Sequence, residues 1–223
     1  MIPLPERQNL DCEQWHQSTE QSEYKLRVAS PGIIQAFNAT AQTVTVQIAI
    51  REKVTLKDGV ISWETIPTLL DCAISIPQNQ NYAFTLPIIS GDECLVVFTD
   101  CCYDSWWQSG GVQNQIFRRR HDLSDGIAII GIKSQPNVIP NYSTDSMQMR
   151  NMAGTSFLEI KGDTINIVSG TAINLTAPSI NTEGSSGVVI NSNGDSVTID
   201  GKVFLAHEHT GVQSGGSDTG GVV

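Results

Sequence analysis

Val44-Thr45-Val46-Gln47-Ile48-Ala49-Ile50 sets a β-branched side chain at every second position, with Thr, Gln and Ala between them. Side chains on an extended chain alternate between two faces, so this stretch reads as a half-buried strand. Just after it, Lys57-Asp58-Gly59 has the turn chemistry of a hairpin, and an apolar stretch from Val60 to Ile66 follows. Further strand candidates occupy residues 72–76, 82–86, 93–99 and 127–132, separated by Gln78-Asn79-Gln80-Asn81 and by Ser90-Gly91-Asp92. Short strands at this spacing, with no convincing helix between them, predict a small antiparallel barrel. The commonest barrel of that size is the oligosaccharide/oligonucleotide-binding (OB) type. Period-two patterning begins at Pro31, so the barrel is placed at residues 31–135. Ahead of it, residues 1–30 form a polar arm, rich in Glu and Gln, with Trp15, Tyr24 and Leu26 as apolar anchors. That arm reads as extended chain or one weak helix.

Beyond a punctuated linker at 136–150 the texture changes. Of the 14 aromatic residues only Tyr142, Phe157 and Phe204 lie past residue 140, so this half has little with which to build a core alone. Ile-Asn units recur at 165, 173, 180 and 190, with Ile199-Asp200 after them, at spacings of 8, 7, 10 and 9. Aliphatic residues at i and i+2, as in Ile165/Ile167, Ile173/Leu175 and Val197/Ile199, share one face of a strand. So short a repeat suits a β-helix or β-prism. One chain yields only a narrow apolar stripe, but three stripes around a three-fold axis close an apolar centre and leave few free strand edges. A homotrimeric, intertwined β-helix is therefore expected over residues 151–205.

The stripe ends at His207-Glu208-His209, within a final segment spanning 206–223 that has glycines at 211, 215, 216, 220 and 221. On a strand the two imidazoles project to the same side, about 6.5–7 Å apart. One chain offers two nitrogen donors; a three-fold trimer offers six, a set suited to octahedral Fe, Co or Ni rather than tetrahedral Zn. Such an ion would cross-link three chains where the apolar centre runs out. The glycines allow tight chain reversal at a crowded apex.

Composition excludes several classes. Net charge is −10, and residues 1–140 and 141–223 each contribute −5. Apart from Arg118-Arg119-Arg120 there is no basic stripe, so nucleic-acid binding by phosphate neutralisation is not expected. An acidic chain is also repelled by an anionic membrane surface, which leaves mechanical contact rather than adhesion. No apolar run reaches transmembrane length, and the start Met1-Ile2-Pro3-Leu4-Pro5-Glu6 lacks the regions of a signal peptide. Five cysteines, two of them vicinal (Cys101-Cys102), fit a cytoplasmically made protein with reduced, mostly buried thiols.

Several further stretches resemble one family. Pro31-Gly32-Ile33-Ile34 with Val44-Thr45-Val46-Gln47, then Leu86-Pro87-Ile88, Gly91-Asp92-Glu93-Cys94 and Phe98, are similar to the OB domain of the membrane-puncturing central spikes of contractile-tailed phages. So is the run from Asp104-Ser105-Trp106-Trp107 through Gly110 to Arg120-His121-Asp122-Leu123-Ser124-Asp125. The C-terminal His-x-His-Thr-Gly-Val-Gln-Ser-Gly-Gly resembles that family's apex. The resemblance implies a virion protein at the tail baseplate tip, synthesised in the host cytoplasm and without catalytic turnover, whose N-terminal domain docks on baseplate hub proteins. Sheath contraction would drive it through the host outer membrane. It implies one iron per trimer held by His207 and His209 of three chains, with other ions at the apex possible. Charged Glu208 departs from the pattern and would need a partner if buried.

Competing functions would call on different residues. A polysaccharide-depolymerising tail-tip enzyme would need a carboxylate pair on an open face. Glu159, Asp163, Glu183, Asp195 and Asp200 are the candidates, none flanked by aromatic platforms. The same sequence is also compatible with a polysaccharide-binding module at the tail tip, or with the spike of a type VI secretion system or a pyocin. Trp106-Trp107 reads as a stacking platform, a hub contact or core packing. Arg118-Arg119-Arg120 reads as surface or inter-subunit ion pairs with Asp122 and Asp125. His121 with Asp104 or Asp125 would be a hydrolytic set, but no activated nucleophile motif accompanies it.

Overall fold

The computed structural model describes residues 12–16, 18–19, 26–56, 58–190, 197–199 and 202–203. The chain divides into two compact units, Met1–Tyr142 and Ser143–Val223.

In the first unit, residues 12–16 and 18–19 are helical, the weak-helix option for the arm. The strands that follow are β1 (Ala29–Asn38), β2 (Thr43–Ile48), β3 (Glu52–Thr55), β4 (Ile61–Glu64), β5 (Leu69–Ser75), β6 (Glu93–Phe98) and β7 (Gly126–Ile130). Five of them close a barrel in the order β1-β2-β5-β7-β6. Counted along the barrel chain this is 1-2-3-5-4, an OB-like Greek-key order. Its ladders are antiparallel except for β5 against β7, which run parallel, a pairing that the all-antiparallel expectation missed.

The alternation in β2 does what its sequence predicts: Val44, Val46 and Ile48 are buried while Thr45 and Gln47 are half-buried. Gln47 uses its outward position to donate to the Ile66 carbonyl at 2.8 Å, and it accepts from Thr68 Oγ1 at 3.1 Å. The strand stops at Ile48, so Ile50 falls outside the stripe and is 58% exposed. At the predicted hairpin, Gly59 takes φ +81° and the Asp58 side chain accepts from Val60 N–H, which joins β3 to β4. The expected strand at 82–86 does not form. Asn79 accepts backbone N–H bonds from Asn81 and Tyr82, a local turn that competes with a ladder, and only an isolated bridge joins Gln78 to Ala83. The barrel already closes β6 onto β1, which leaves this segment no free edge to join.

The core is Ile34, Val44, Val46, Ile48, Leu69, Cys72, Cys94, Val96, Phe98 and Ala128 with their neighbours. Val96 sits against two glycines. A Cβ on Gly126 would meet Val96 Cγ1 at 2.9 Å, and one on Gly32 would meet Val96 Cγ2 at 3.3 Å, Cys94 Sγ at 3.2 Å and Val46 Cγ1 closer still. Gly32→Ala is accordingly expected to overpack the barrel and cost about 1–3 kcal/mol, read as a lower urea midpoint with unchanged slope.

All five cysteines are free; Cys72, Cys94 and Cys102 are buried, Cys101 is half-buried and Cys12 is exposed. Burial pushes the Cys72 and Cys94 thiols up to about 11. A raised thiol pKa means the unfolded chain ionises first. This contribution to stability is whole below about pH 9 and is lost as pH rises toward 11. At pH 8 iodoacetamide is expected to label Cys12 while sparing Cys72 and Cys94 until denaturant is added, as mass spectrometry of digests would show.

In the second unit, β8 (Met147–Arg150), β9 (Phe157–Lys161) and β10 (Thr164–Val168) form an antiparallel sheet in the order β10-β9-β8. A two-residue pair, β11 (Thr198–Ile199) and β12 (Lys202–Val203), makes a small hairpin. Residues 169–190 carry no strand, although Ile173, Leu175, Ile180 and Ile190 of the repeat lie there, all exposed. Of the expected β-helix, the described residues of one chain show this sheet and the short β11–β12 pair.

Candidate functional site

His207 and His209, the sequence-predicted metal ligands, lie outside the described residues. Two other arrangements are fully described, one in each unit.

In the second unit the strand register sorts side chains by chemistry. Met147 faces Ile160, Met149 faces Leu158, and on the other side of β9 Ile165 faces Ile160 and Ile167 faces Leu158. By alternation these six apolar side chains share one face, and in one chain they are between 37% and 67% exposed. The opposite face carries a hydrogen-bonded polar cluster beside the Phe157–Val168 pair. Glu159 Oε1 accepts from Gln148 Nε2 at 2.8 Å and Ser146 Oγ at 2.6 Å, and its Oε2 accepts from Asn166 Nδ2 at 3.0 Å. These bonds, that of Ser146 first, hold the Glu159 carboxyl below the usual range. A carboxylate kept ionised in this way is ill suited to act as a general acid. Lys161 similarly holds Asp145 below its usual value through a 2.6 Å bond.

In the first unit the long β6–β7 connection carries a short helix, Asp104–Ser109, that the sequence reading missed. The connection is closed at its base by Thr99, whose N–H donates to the Asp125 carbonyl while its own carbonyl accepts from His121 N–H. Arg119 then clamps it from inside. Its Nε donates to Asp125 Oδ2 at 2.6 Å, and its Nη2 donates to Asp125 Oδ1 at 2.9 Å and to Asp104 Oδ2 at 2.7 Å. Asp125 is fully buried (0% exposed), so the ion pair is internal to the chain rather than at its surface. Asp122, the other expected partner, instead caps the turn Leu123–Asp125 by accepting from Ser124 N–H at 2.9 Å, and that bond holds its carboxyl low. Arg118 is exposed, and Arg120 pairs with Asp100 at 2.6 Å.

The hydrolytic grouping is not assembled. His121 Nε2 faces Asp100 at 3.7 Å, while Asp104 and Asp125 are both committed to Arg119. Cys102, Asp104 and Asp125 bring three donor atoms within 4.8 Å of one another, but the guanidinium already supplies the cation that balances both carboxylates. Arg119 was visible in the sequence as one of three arginines. What singles it out is Asp104, 15 residues away and brought in by the helix. Beside the clamp, Tyr103 donates to the Gly126 carbonyl at 3.2 Å, and burial pushes its phenol up to about 12. Its ring meets those of Trp106 and Trp107 edge-on at 6.3 and 6.5 Å. Both indoles remain partly exposed, so neither is core packing.

The chain thus combines a closed OB-like barrel carrying an elaborated β6–β7 connection with a sheet that has one bare apolar face. Residues 30–131 match the family model for the N-terminal domain of the phage protein Gp138. The match covers the barrel except Ala29 and supports a phage structural, tail-related protein carried in the virion. No curated protein matches the chain.

Proposed function

We propose that the protein is one subunit of a homotrimeric central spike in a contractile-tail baseplate, driven through the host outer membrane by sheath contraction and without catalytic turnover. The observation that supports it most is the face of Met147, Met149, Leu158, Ile160, Ile165 and Ile167, bare in one chain, with Glu159 bonded to Gln148 and Asn166 on the side behind it. Covering half-exposed side chains of this size is worth about 1 kcal/mol each. A second and third copy supply the cover symmetrically, and the exposed Ile173, Leu175, Ile180 and Ile190 extend the same stripe.

In this reading the barrel docks on baseplate hub proteins and residues 151–205 wind into the shaft. At the apex His207 and His209 of three chains present six imidazoles, a donor set that suits octahedral iron; other ions of that preference would also fit. The ion would supply a cross-link among chains.

Sedimentation of the purified protein at micromolar concentration tests the assembly: a trimer is expected, and a monomer overturns the reading. Elemental analysis is expected to find about one metal ion per three chains. His207→Ala combined with His209→Ala should remove the metal and leave the trimer assembled. Markedly less metal in parent protein purified without chelators would remove the apex from the proposal while leaving the shaft.

A further inference from the structure

Past the Asp104–Ser109 helix, Gly110 and Gly111 take φ +65° and +64°, conformations that turn the chain back alongside the helix. Ser105 Oγ fastens the returning chain by donating to the Asn114 carbonyl at 2.9 Å. Between helix and return lies an open cavity of about 260 Å³, lined by Tyr103, Ser105, Trp106, Gln113, Asn114 and Gln115 together with Gly111 and the vicinal cysteines. In a chain of net charge −10, no charged side chain lines it.

We propose that this cavity binds an uncharged saccharide, a pyranose bearing hydroxyl and acetamido groups. Trp106, 50% exposed, offers an aromatic face for the C–H side of a sugar ring. Three amide side chains offer the polar partners. Gln113 and Gln115 spend their N–H groups on the Gly110 and Phe117 carbonyls, which holds the loop and leaves their side-chain oxygens to accept from hydroxyls. The Asn114 amide has no protein partner among the described residues and can both donate and accept. One aromatic wall with a few placed polar groups is how small-ligand sites secure orientation. The volume is below the roughly 300–1,000 Å³ of pockets that enclose drug-sized ligands, which suits one or two sugar units. Nucleic acid is disfavoured because nothing cationic lines the cavity to neutralise phosphate: Arg119, the nearby cation, is committed to Asp104 and Asp125. The site lies within one barrel and does not depend on the trimer.

The test is titration of the full-length protein with four probes, followed by calorimetry and tryptophan fluorescence. The probes are chitotetraose, carboxyl-reduced peptidoglycan glycan strands freed of peptide, a neutral oligosaccharide from the outer chain of lipopolysaccharide, and oligo-dT. Saturable binding of at least one saccharide is expected, with none of oligo-dT. Response to the first two but not the third names a peptidoglycan-type source; the reverse names the outer-leaflet glycan. Trp106→Ala and Asn114→Ala should each weaken binding at least tenfold, and Trp106→Phe should retain most of it. Asn114 is exposed, so that variant tests the site even if the tryptophan variant misfolds. No saccharide response up to millimolar concentration, unchanged binding in folded Asn114→Ala, or preference for oligo-dT overturns the proposal. Loss of virion incorporation by Trp106→Ala without any saccharide response would mark the surface as a protein contact and overturn it likewise.

Discussion

Arg119→Leu is expected to destabilise the barrel by roughly 3–5 kcal/mol, the range for removing one partner of a buried ion pair. The loss falls mainly on Asp125. Asp104 has a side chain 34% exposed and can rehydrate, whereas Asp125 is sealed and would be left with an uncompensated charge. Urea unfolding followed by tryptophan fluorescence measures it directly. Arg119→Lys should recover only part of the loss, because an ammonium cannot make the two-pronged contact to Asp125 and reach Asp104 as well. Adding Asp125→Asn to Arg119→Leu should recover much of it, since the stranded charge is then gone. A shift within about 0.5 kcal/mol for Arg119→Leu would mean the clamp is not what holds the β6–β7 connection.

Ile165→Asp combined with Ile167→Asp is expected to convert the proposed trimer to monomers while leaving the barrel folded. Both residues lie on the apolar face of β10, opposite Ile160 and Leu158. In the assembly each carboxylate would be taken out of water unpaired, at several kcal/mol apiece, and three copies would repel one another about the axis. Thr164→Asp, on the other face of the same strand and also exposed, is the control and should sediment as the parent. A double variant that remains trimeric would show that the face of β8–β10 is not the seam between chains.

Much of the barrel is legible in the chain because its signals are local. Alternation at Val44, Val46 and Ile48 depends only on the period of an extended chain, and the Asp58-Gly59 turn only on a residue that tolerates positive φ. The same locality makes Ile165/Ile167 readable as one stripe. Where local chemistry offered two outcomes the reading erred: residues 82–86 have a strand's composition, but the Asn79 turn and the lack of a free sheet edge decide against it.

The sequence by itself determined an all-β barrel followed by a repetitive, aromatic-poor segment whose aliphatic pairs, such as Ile165/Ile167, sit at every second residue. Only the tertiary structure decided that β5 runs parallel to β7, that Gly32 and Gly126 make room for Val96, and that Arg119 rather than its neighbours joins Asp104 to buried Asp125. The division follows from distance along the chain. Periodicity and turn chemistry act over a few residues and are written there. Closure, packing and charge pairing join segments whose separation no local rule constrains, and they exist only once the whole barrel has closed.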